Sequence, residues 1–289
     1  MPASVSFDQA LAQSGLPRLE ARSLMTLACA RPREWLIAHG PESVEPGIRE
    51  RFEALVRRRH AGEPLAYLAG SREFHGLRFE VGPAVLIPRP ETEQLVDLVI
   101  ERAPPGACVL DLGTGSGAIA VSVARARRDL RLTATDRAPD ALALARRNAR
   151  ALLGEDDARR IEWREGDWWA ALAPEASFDV IVANPPYIAE SDPHLAAGDL
   201  RYEPRAALAA GADGLIDLRV LIAGAPAHLR ASGLLALEHG WDQGAAVREL
   251  MTSTGLAAVA TLRDAQQHER ITLGCLQANL GRSAVPGLE

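Results

Sequence analysis

Residues 109–124 read VLDLGTGSGAIAVSVA. An apolar run interrupted by Asp111 enters a loop with glycine at every second position, Gly113, Gly115 and Gly117, and the loop enters a run of small apolar residues. Strand, tight turn, helix is the order this implies. Glycine permits the turn and lets backbone amides at a helix N-terminus come close to a ligand. The next strand pattern ends in Asp136, the place from which a carboxylate reaches ribose hydroxyls. Two ligand classes use such a loop. With Ala118 in the third place, the stretch matches the dinucleotide pattern G-x-G-x-x-G/A. The carboxylate of Asp111, just ahead of the loop, suits a ligand carrying an ammonium group and suits a pyrophosphate badly.

Working outward, strand patterns recur at residues 108–112, 131–135, 161–165, 178–183, 233–238, 257–262 and 270–276, with helical patterns such as 118–127 and 140–153 between them. Near-continuous apolar strands such as FDVIVA (178–183) suit a sheet covered on both faces. Strand–helix alternation predicts a doubly wound α/β sheet of seven strands. The short connection 263–269 makes the last strand antiparallel. Upstream, residues 18–30 and 46–60 read as helices, the second placing Ile48, Phe52, Leu55 and Val56 on one face before Gly62 and Pro64 stop it. Residues 73–88, EFHGLRFEVGPAVLIP, are short apolar pieces broken by Gly76 and Gly82-Pro83, the pattern of a β-hairpin. Three parts follow: a small all-α domain at 1–72, a β-hairpin linker at 73–90 and the α/β domain at 91–280. The tail at 281–289 reads as frayed.

Composition narrows the function classes. The 289 residues are 47% hydrophobic and 24% charged, the balance of a globular protein with a sizeable core. Net charge is −6, and the first 80 residues hold 11 Arg against 10 Asp and Glu, so no basic arm marks a nucleic-acid binder. All 32 basic residues are arginine, which excludes Schiff-base and Walker-lysine chemistry. Cys29, Cys108 and Cys275 lie far apart, with no C-x-x-C or H-E-x-x-H, and read as buried reduced thiols with no metal site. With no apolar run of membrane length and no signal-peptide pattern at the start, a cytoplasmic protein is expected.

Two further motifs choose the chemistry. D-x-G-x-G-x-G at 111–117 resembles motif I of the class I methyltransferases, which use S-adenosyl-L-methionine, and GDWW (166–169) ends the third strand where Asp167 or Trp168 can meet an adenine. In FDVIVANPPYI (178–188), a buried strand ends directly in Asn184-Pro185-Pro186-Tyr187. The prolines stiffen the turn and remove backbone donors, Asn184 adds a side-chain carbonyl, and Tyr187 adds a ring that can stack on a flat group. An amide or arylamine nitrogen is a poor nucleophile because its lone pair is delocalised. The Asn184 side-chain oxygen and the Pro185 backbone oxygen can hold its two N–H bonds and aim the nitrogen at an activated methyl, so that positioning and electrostatics carry the reaction.

With these motifs in place, the chain resembles the N5-glutamine methyltransferases of peptide chain release factors, the PrmC/HemK family. The likeness extends to GEPLAYLAGSREFHGLRFEV (62–81), VLIPRPETE (85–93), EPRAAL (203–208), GADGL (211–215), LEHGWDQG (237–244) and RDAQQHERITLG (263–274), most of residues 62–274. The resemblance implies a class I methyltransferase fold and a helical domain that docks the protein substrate. It implies methylation of the glutamine in the Gly-Gly-Gln loop of class 1 release factors, with neither a membrane nor a nucleic acid as partner. Carried over by position, Gly113, Thr114, Gly115, Ser116 and Gly117 hold the cofactor, Asp136 its ribose, and Trp168 lies near its adenine. Asn184, Pro185, Pro186 and Tyr187 hold the glutamine amide, Asn184 touching the cofactor as well, and PRPETE (88–93) lines the same pocket. Two other substrates share the NPPY chemistry: a glutamine on a ribosomal protein, and the amino group of adenine or guanine in a nucleic acid.

Overall fold

The computed structural model describes residues 5–277; the tail at 281–289 lies outside them. The chain opens with helices α1 (Phe7–Gln13), α2 (Arg18–Cys29), α3 (Arg33–Ala38), α4 (Pro46–His60) and α5 (Leu65–Ala69). Their shared core is Phe7, Leu24, Met25, Leu36, Val44 and Phe52, against which the half-buried Ile48, Leu55 and Val56 pack. Local chemistry sets the ends. Ser6 and Gln9 form a reciprocal capping box ahead of α1, Pro46 takes the first turn of α4, and Gly70 closes α5 at φ +67°.

A hairpin follows, β1 (Ser71–Phe74) with β2 (Leu77–Glu80), so its first strand begins two residues ahead of 73. The turn residues His75 and Gly76 both have positive φ, 49° and 70°, which matches the twist of a two-residue hairpin. Phe74 and Phe79 are 1% and 0% exposed and belong to the core of the sheet that follows.

That sheet is built from β3 (Cys108–Leu112), β4 (Arg131–Asp136), β5 (Ile161–Glu165), β6 (Phe178–Ala183), β7 (Leu229–Glu238), β8 (Leu256–Arg263) and β9 (Glu269–Leu276). The helices with them are α6 (Glu93–Arg102), α7 (Ala118–Ala126), α8 (Pro139–Leu153), α9 (Glu155–Ala158), α10 (Ile216–His228) and α11 (Gly244–Ser253). The order is β5-β4-β3-β6-β7-β9-β8. The first five are parallel to their neighbours, and β9 runs antiparallel to both β7 and β8. The predicted seven-stranded doubly wound sheet with its last strand reversed is therefore the fold, and β7 begins four residues earlier than the pattern 233–238.

Each central strand feeds two cores. On β3, Val109 packs with Leu95, Val99 and Val121 on one face, while Leu110 and Leu112 pack with Leu218, Leu221, Ile222 and Met251 on the other. This double burial is why the strands read as continuous apolar runs rather than alternating ones. The three cysteines are unpaired but half-buried rather than buried, since each sits at the margin of its core instead of inside it.

Asn148 on α8 joins hairpin and sheet. Its side chain is 2% exposed, accepts from the Glu80 amide at 2.7 Å, and donates to the carbonyls of Glu80 at 3.0 Å and Ser116 at 2.9 Å. Asn148→Ala leaves these backbone groups without partners and is expected to lower the unfolding free energy by roughly 2–3 kcal/mol in urea denaturation. A loss under about 0.5 kcal/mol, the range of ordinary surface changes, would mean that this bridge carries no stability.

Candidate functional site

The site follows from strand register. Leu112 pairs with Thr135 on one side and Ala183 on the other, and Ala183 pairs with Leu237. The loops leaving β4, β3, β6 and β7 therefore start level with one another at the carboxyl edge of the sheet. Strand order reverses between β3 and β6, and a crevice outside such a switch point is where open α/β sheets bind ligands. Gly113 and Asn184 leave the sheet side by side there, flanked by Asp136 and Glu238.

Backbone and carboxylates hold the glycine loop. Thr114 N–H donates to Thr135 O at 2.8 Å, and Gly117 N–H donates to Thr114 O at 2.9 Å. Asp136 accepts from the Gly115 amide at 2.9 Å through one oxygen and from the Ala138 amide at 2.9 Å through the other. Gly113 has φ +72°, and a Cβ there would stand 3.0 Å from the Trp168 ring. Trp168 itself has φ 46°, a backbone state that costs a bulky residue about 1–3 kcal/mol. Its indole N–H donates to Asp217 at 2.9 Å, which fixes the ring against Gly113 in the wall of the cleft.

Asp111 does not face the cleft as expected. It is 1% exposed and turned beneath the loop, where one oxygen accepts from Thr114 Oγ1 at 2.6 Å and from the Ala120 amide at 3.2 Å. The reason is strand alternation: Asp111 shares a face with Val109, and that face is covered by α7. Its carboxylate staples loop to helix, and burial raises its pKa to about 7.

The turn after β6 is held by a chain of polar contacts. Asn184 Nδ2 donates to Thr92 Oγ1 at 2.9 Å, Thr92 Oγ1 donates to Glu238 Oε2 at 2.7 Å, and the Tyr187 hydroxyl donates to Glu238 Oε1 at 3.3 Å. Gln243 Nε2 donates to the Tyr187 carbonyl at 2.9 Å, so Tyr187 is fixed at ring and backbone. Burial raises the Tyr187 phenol above its ordinary range and raises Glu238 to about 7. The remaining atom of the Asn184 amide, Oδ1, is buried and accepts no hydrogen bond among the described residues.

Two adjoining hollows meet at Asn184. The larger, about 1030 Å³, is lined by Gly113, Thr114, Gly115, Ser116, Asp136, Asp167, Trp168, Asn184 and Pro186, with Pro88, Arg89 and Thr92 from the PRPETE segment. The smaller, about 340 Å³, is lined by Arg89, Asn184, Pro185, Pro186 and Tyr187. Gly117 stands behind the loop, where it starts α7 at φ +82° and a Cβ would lie 3.1 Å from that of Ala145. Trp169 stacks on His228, with centroids 4.9 Å apart, and stays out of both hollows. His239 is 0% exposed, bonded to Thr272 and the Gly240 carbonyl, and faces neither.

The PRPETE segment, expected along the pocket, brings Arg89 into the wall of both hollows. Its guanidinium is paired with Glu203, whose other oxygen accepts from the Ile87 amide at 2.9 Å. Sequence reading missed Asp217. The level strand ends were the available signal for Glu238; no local pattern pointed to Asp217.

Known proteins resemble the chain throughout. A family model described as the PrmC N-terminal domain matches residues 5–70, and one described as a methyltransferase small domain matches residues 91–211. The release factor glutamine methyltransferase of Burkholderia pseudomallei is 49% identical over 280 residues, covering 95% of this chain and 98% of its own. That of Xylella fastidiosa (strain Temecula1) is 48% identical over 276 residues, again 95% and 98%. Among solved structures, a methyltransferase from Pyrococcus furiosus covers 70% of this chain and 90% of that one with a TM-score of 0.52 at 20% identity, a likeness of fold.

Asp111 and Glu238 give the site a pH signature. Each has a folded pKa near 7, above its unfolded value, so the folded state keeps protons that the unfolded chain has released. The stability they contribute falls as pH rises from the ordinary carboxylate range toward 7. Asp111→Asn is expected to flatten that slope by about half in denaturant titrations across the window, one of two such groups being gone; an unchanged slope would place the Asp111 titration elsewhere.

Proposed function

Because the chain belongs to the family of release factor glutamine methyltransferases, we propose that it methylates the side-chain amide nitrogen, N5, of the glutamine in the Gly-Gly-Gln loop of class 1 peptide chain release factors, with S-adenosylmethionine as donor. The observation that carries this reading is Asn184, a residue that lines both hollows and whose side-chain oxygen is buried with nothing donating to it. A buried acceptor left alone costs about 1–3 kcal/mol. A glutamine amide entering the smaller hollow supplies the missing donor.

The larger hollow fits the cofactor. Asp136 offers a carboxylate to ribose hydroxyls, Trp168 and Asp167 form the wall for the adenine, and residues 113–116 line the hollow with backbone, open where Gly115 has no Cβ. S-adenosylmethionine, when bound, supplies a methyl group on a positively charged sulfur. The protein does the rest by placement. Asn184 Oδ1 and the Pro185 carbonyl accept the two N–H bonds of the amide, and Tyr187, anchored by Glu238 and Gln243, gives the amide plane a wall. Holding both hydrogens sets the nitrogen with its π-face toward the methyl, the orientation in which its delocalised lone pair can attack. The proton leaves after transfer, so no strong base is needed at the nitrogen.

A ribosomal-protein glutamine or a base amino group suits the same turn, but relatives at 48–49% identity along 95% of the chain carry the release-factor name, which favours that substrate. This reading puts the reaction in the cytoplasm, with the translation machinery its substrate serves.

Incubation with labelled S-adenosylmethionine and a purified release factor, followed by mass spectrometry, is expected to find one methyl on the glutamine of the Gly-Gly-Gln loop. Label in RNA, DNA or a ribosomal protein instead would overturn the substrate assignment. Asn184→Ala is expected to lower kcat by about 10²-fold or more with cofactor affinity within a few-fold of wild type. Asp136→Ala is expected to weaken cofactor binding by about tenfold or more, the value of a charged hydrogen-bond pair; calorimetry showing unchanged affinity would remove Asp136 from the ribose.

A further inference from the structure

An amide side chain has nearly the same shape whichever way round it sits, so packing alone does not decide whether Asn184 shows its oxygen or its NH2 to the hollow. The choice matters for methyl transfer. An oxygen facing the substrate amide accepts a hydrogen bond from it, whereas an NH2 facing it opposes donor to donor and leaves the nitrogen unheld. Something else must set the polarity.

The geometry points to Thr92 and Glu238 as positioning residues that fix the orientation of the Asn184 amide, through a one-way hydrogen-bond relay running from Asn184 to Thr92 to Glu238. The inference rests on reading Asn184 as the acceptor for the substrate amide. The distances are short along the chain: Asn184 Nδ2 to Thr92 Oγ1 at 2.9 Å and Thr92 Oγ1 to Glu238 Oε2 at 2.7 Å. Glu238 and Thr92 are 1% and 4% exposed, so water does not stand in for either partner. Once ionised, above the value of about 7, Glu238 has no hydrogen to give. The Thr92 hydroxyl must therefore donate toward Glu238, which leaves its lone pair toward Asn184, and only the NH2 end of Asn184 can meet a lone pair. The oxygen is then the end turned away from Thr92, where it is buried without a partner.

The far end of the relay is anchored too. Glu238 Oε1 takes the Tyr187 hydroxyl at 3.3 Å, so one carboxylate sets both the acceptor and the ring of the NPPY turn. Arg270, from β9, favours the charged form, while burial and the nearby Glu91 oppose it. Three segments distant in sequence are joined this way: Thr92 lies 146 residues from Glu238 and 92 from Asn184. Neither Thr92 nor Glu238 needs to touch the reacting nitrogen.

The test compares Thr92→Val, which keeps the shape and removes the hydroxyl, with Thr92→Ser, which keeps the hydroxyl, at a pH well above the Glu238 value of about 7. Thr92→Val is expected to lower kcat on a release factor by roughly 10²-fold, the scale of a misplaced reacting group. Its affinity for S-adenosylmethionine should stay within a few-fold of wild type, and Thr92→Ser should recover most of the rate. A second readout needs no substrate. With ¹⁵N-labelled side-chain amides, the Asn184 NH2 protons should exchange slowly in wild type and Thr92→Ser and quickly in Thr92→Val. Equal exchange in all three, wild-type turnover by Thr92→Val, or equal losses in Val and Ser variants would overturn the relay. Failure of the wild type itself to methylate the release factor counts against the substrate assignment, and the exchange experiment still decides the relay.

Discussion

Everything at the site hangs on register. The hydrogen-bond ladder that pairs Leu112 with Ala183, and Ala183 with Leu237, makes three strands end at one level, so that loops separated by long stretches of chain leave the sheet as neighbours. A shift of one residue on β6 would turn Asn184 to the opposite face and send Ile181 and Ala183 from one core to the other. The apolar residues on both faces of β3 and β6 resist that shift. The same burial that holds the sheet together thereby sets the position of a side-chain oxygen at its rim.

Much of this was legible in the sequence, for reasons that differ along the chain. Strand ends at Leu112, Ala183 and Glu238 were readable because a buried strand is an unbroken apolar run that stops at a turn residue. Helix α4 was readable as Pro46–His60 because a proline marks its first turn and Gly62 lies just beyond its end. Asn184 stood out because two prolines follow it. What failed to show was direction. Asp111 was placed in the cleft because it is near the loop in sequence, yet the alternation of side chains along β3 sends it under α7. The contact between Thr92 and Glu238 was invisible for a different reason. No local pattern links residues 146 apart, and only the assembled sheet does so.

The helical part of the chain and the rim of the smaller hollow share one short segment. Arg59 of α4 bridges Glu20 and Asp199, and the Tyr202 hydroxyl donates to the Ala61 carbonyl at 2.7 Å. One residue on, Glu203 holds Arg89 in the wall of both hollows. Residues 199–203 thus touch helices on one side and the site on the other. The helical part of the chain and the paired hollows are, in this chain, mechanically adjacent.

The hairpin sets a limit on how the chain can be divided. It stands between the helices and the sheet in sequence, but Phe74 and Phe79 are interior residues of the larger half, and Asn148 bonds its edge strand to the glycine loop. A fragment begun at residue 91 would have two ring-sized voids in its core and a frayed glycine loop, whereas one begun at Gly70 would keep both of those in place. A seam there is not clean on its other side either: Tyr67 of α5 is buried with Val81, Val85 and Ile87 and donates to the Val85 carbonyl at 2.7 Å, so the last helical turn travels with the hairpin and the sheet.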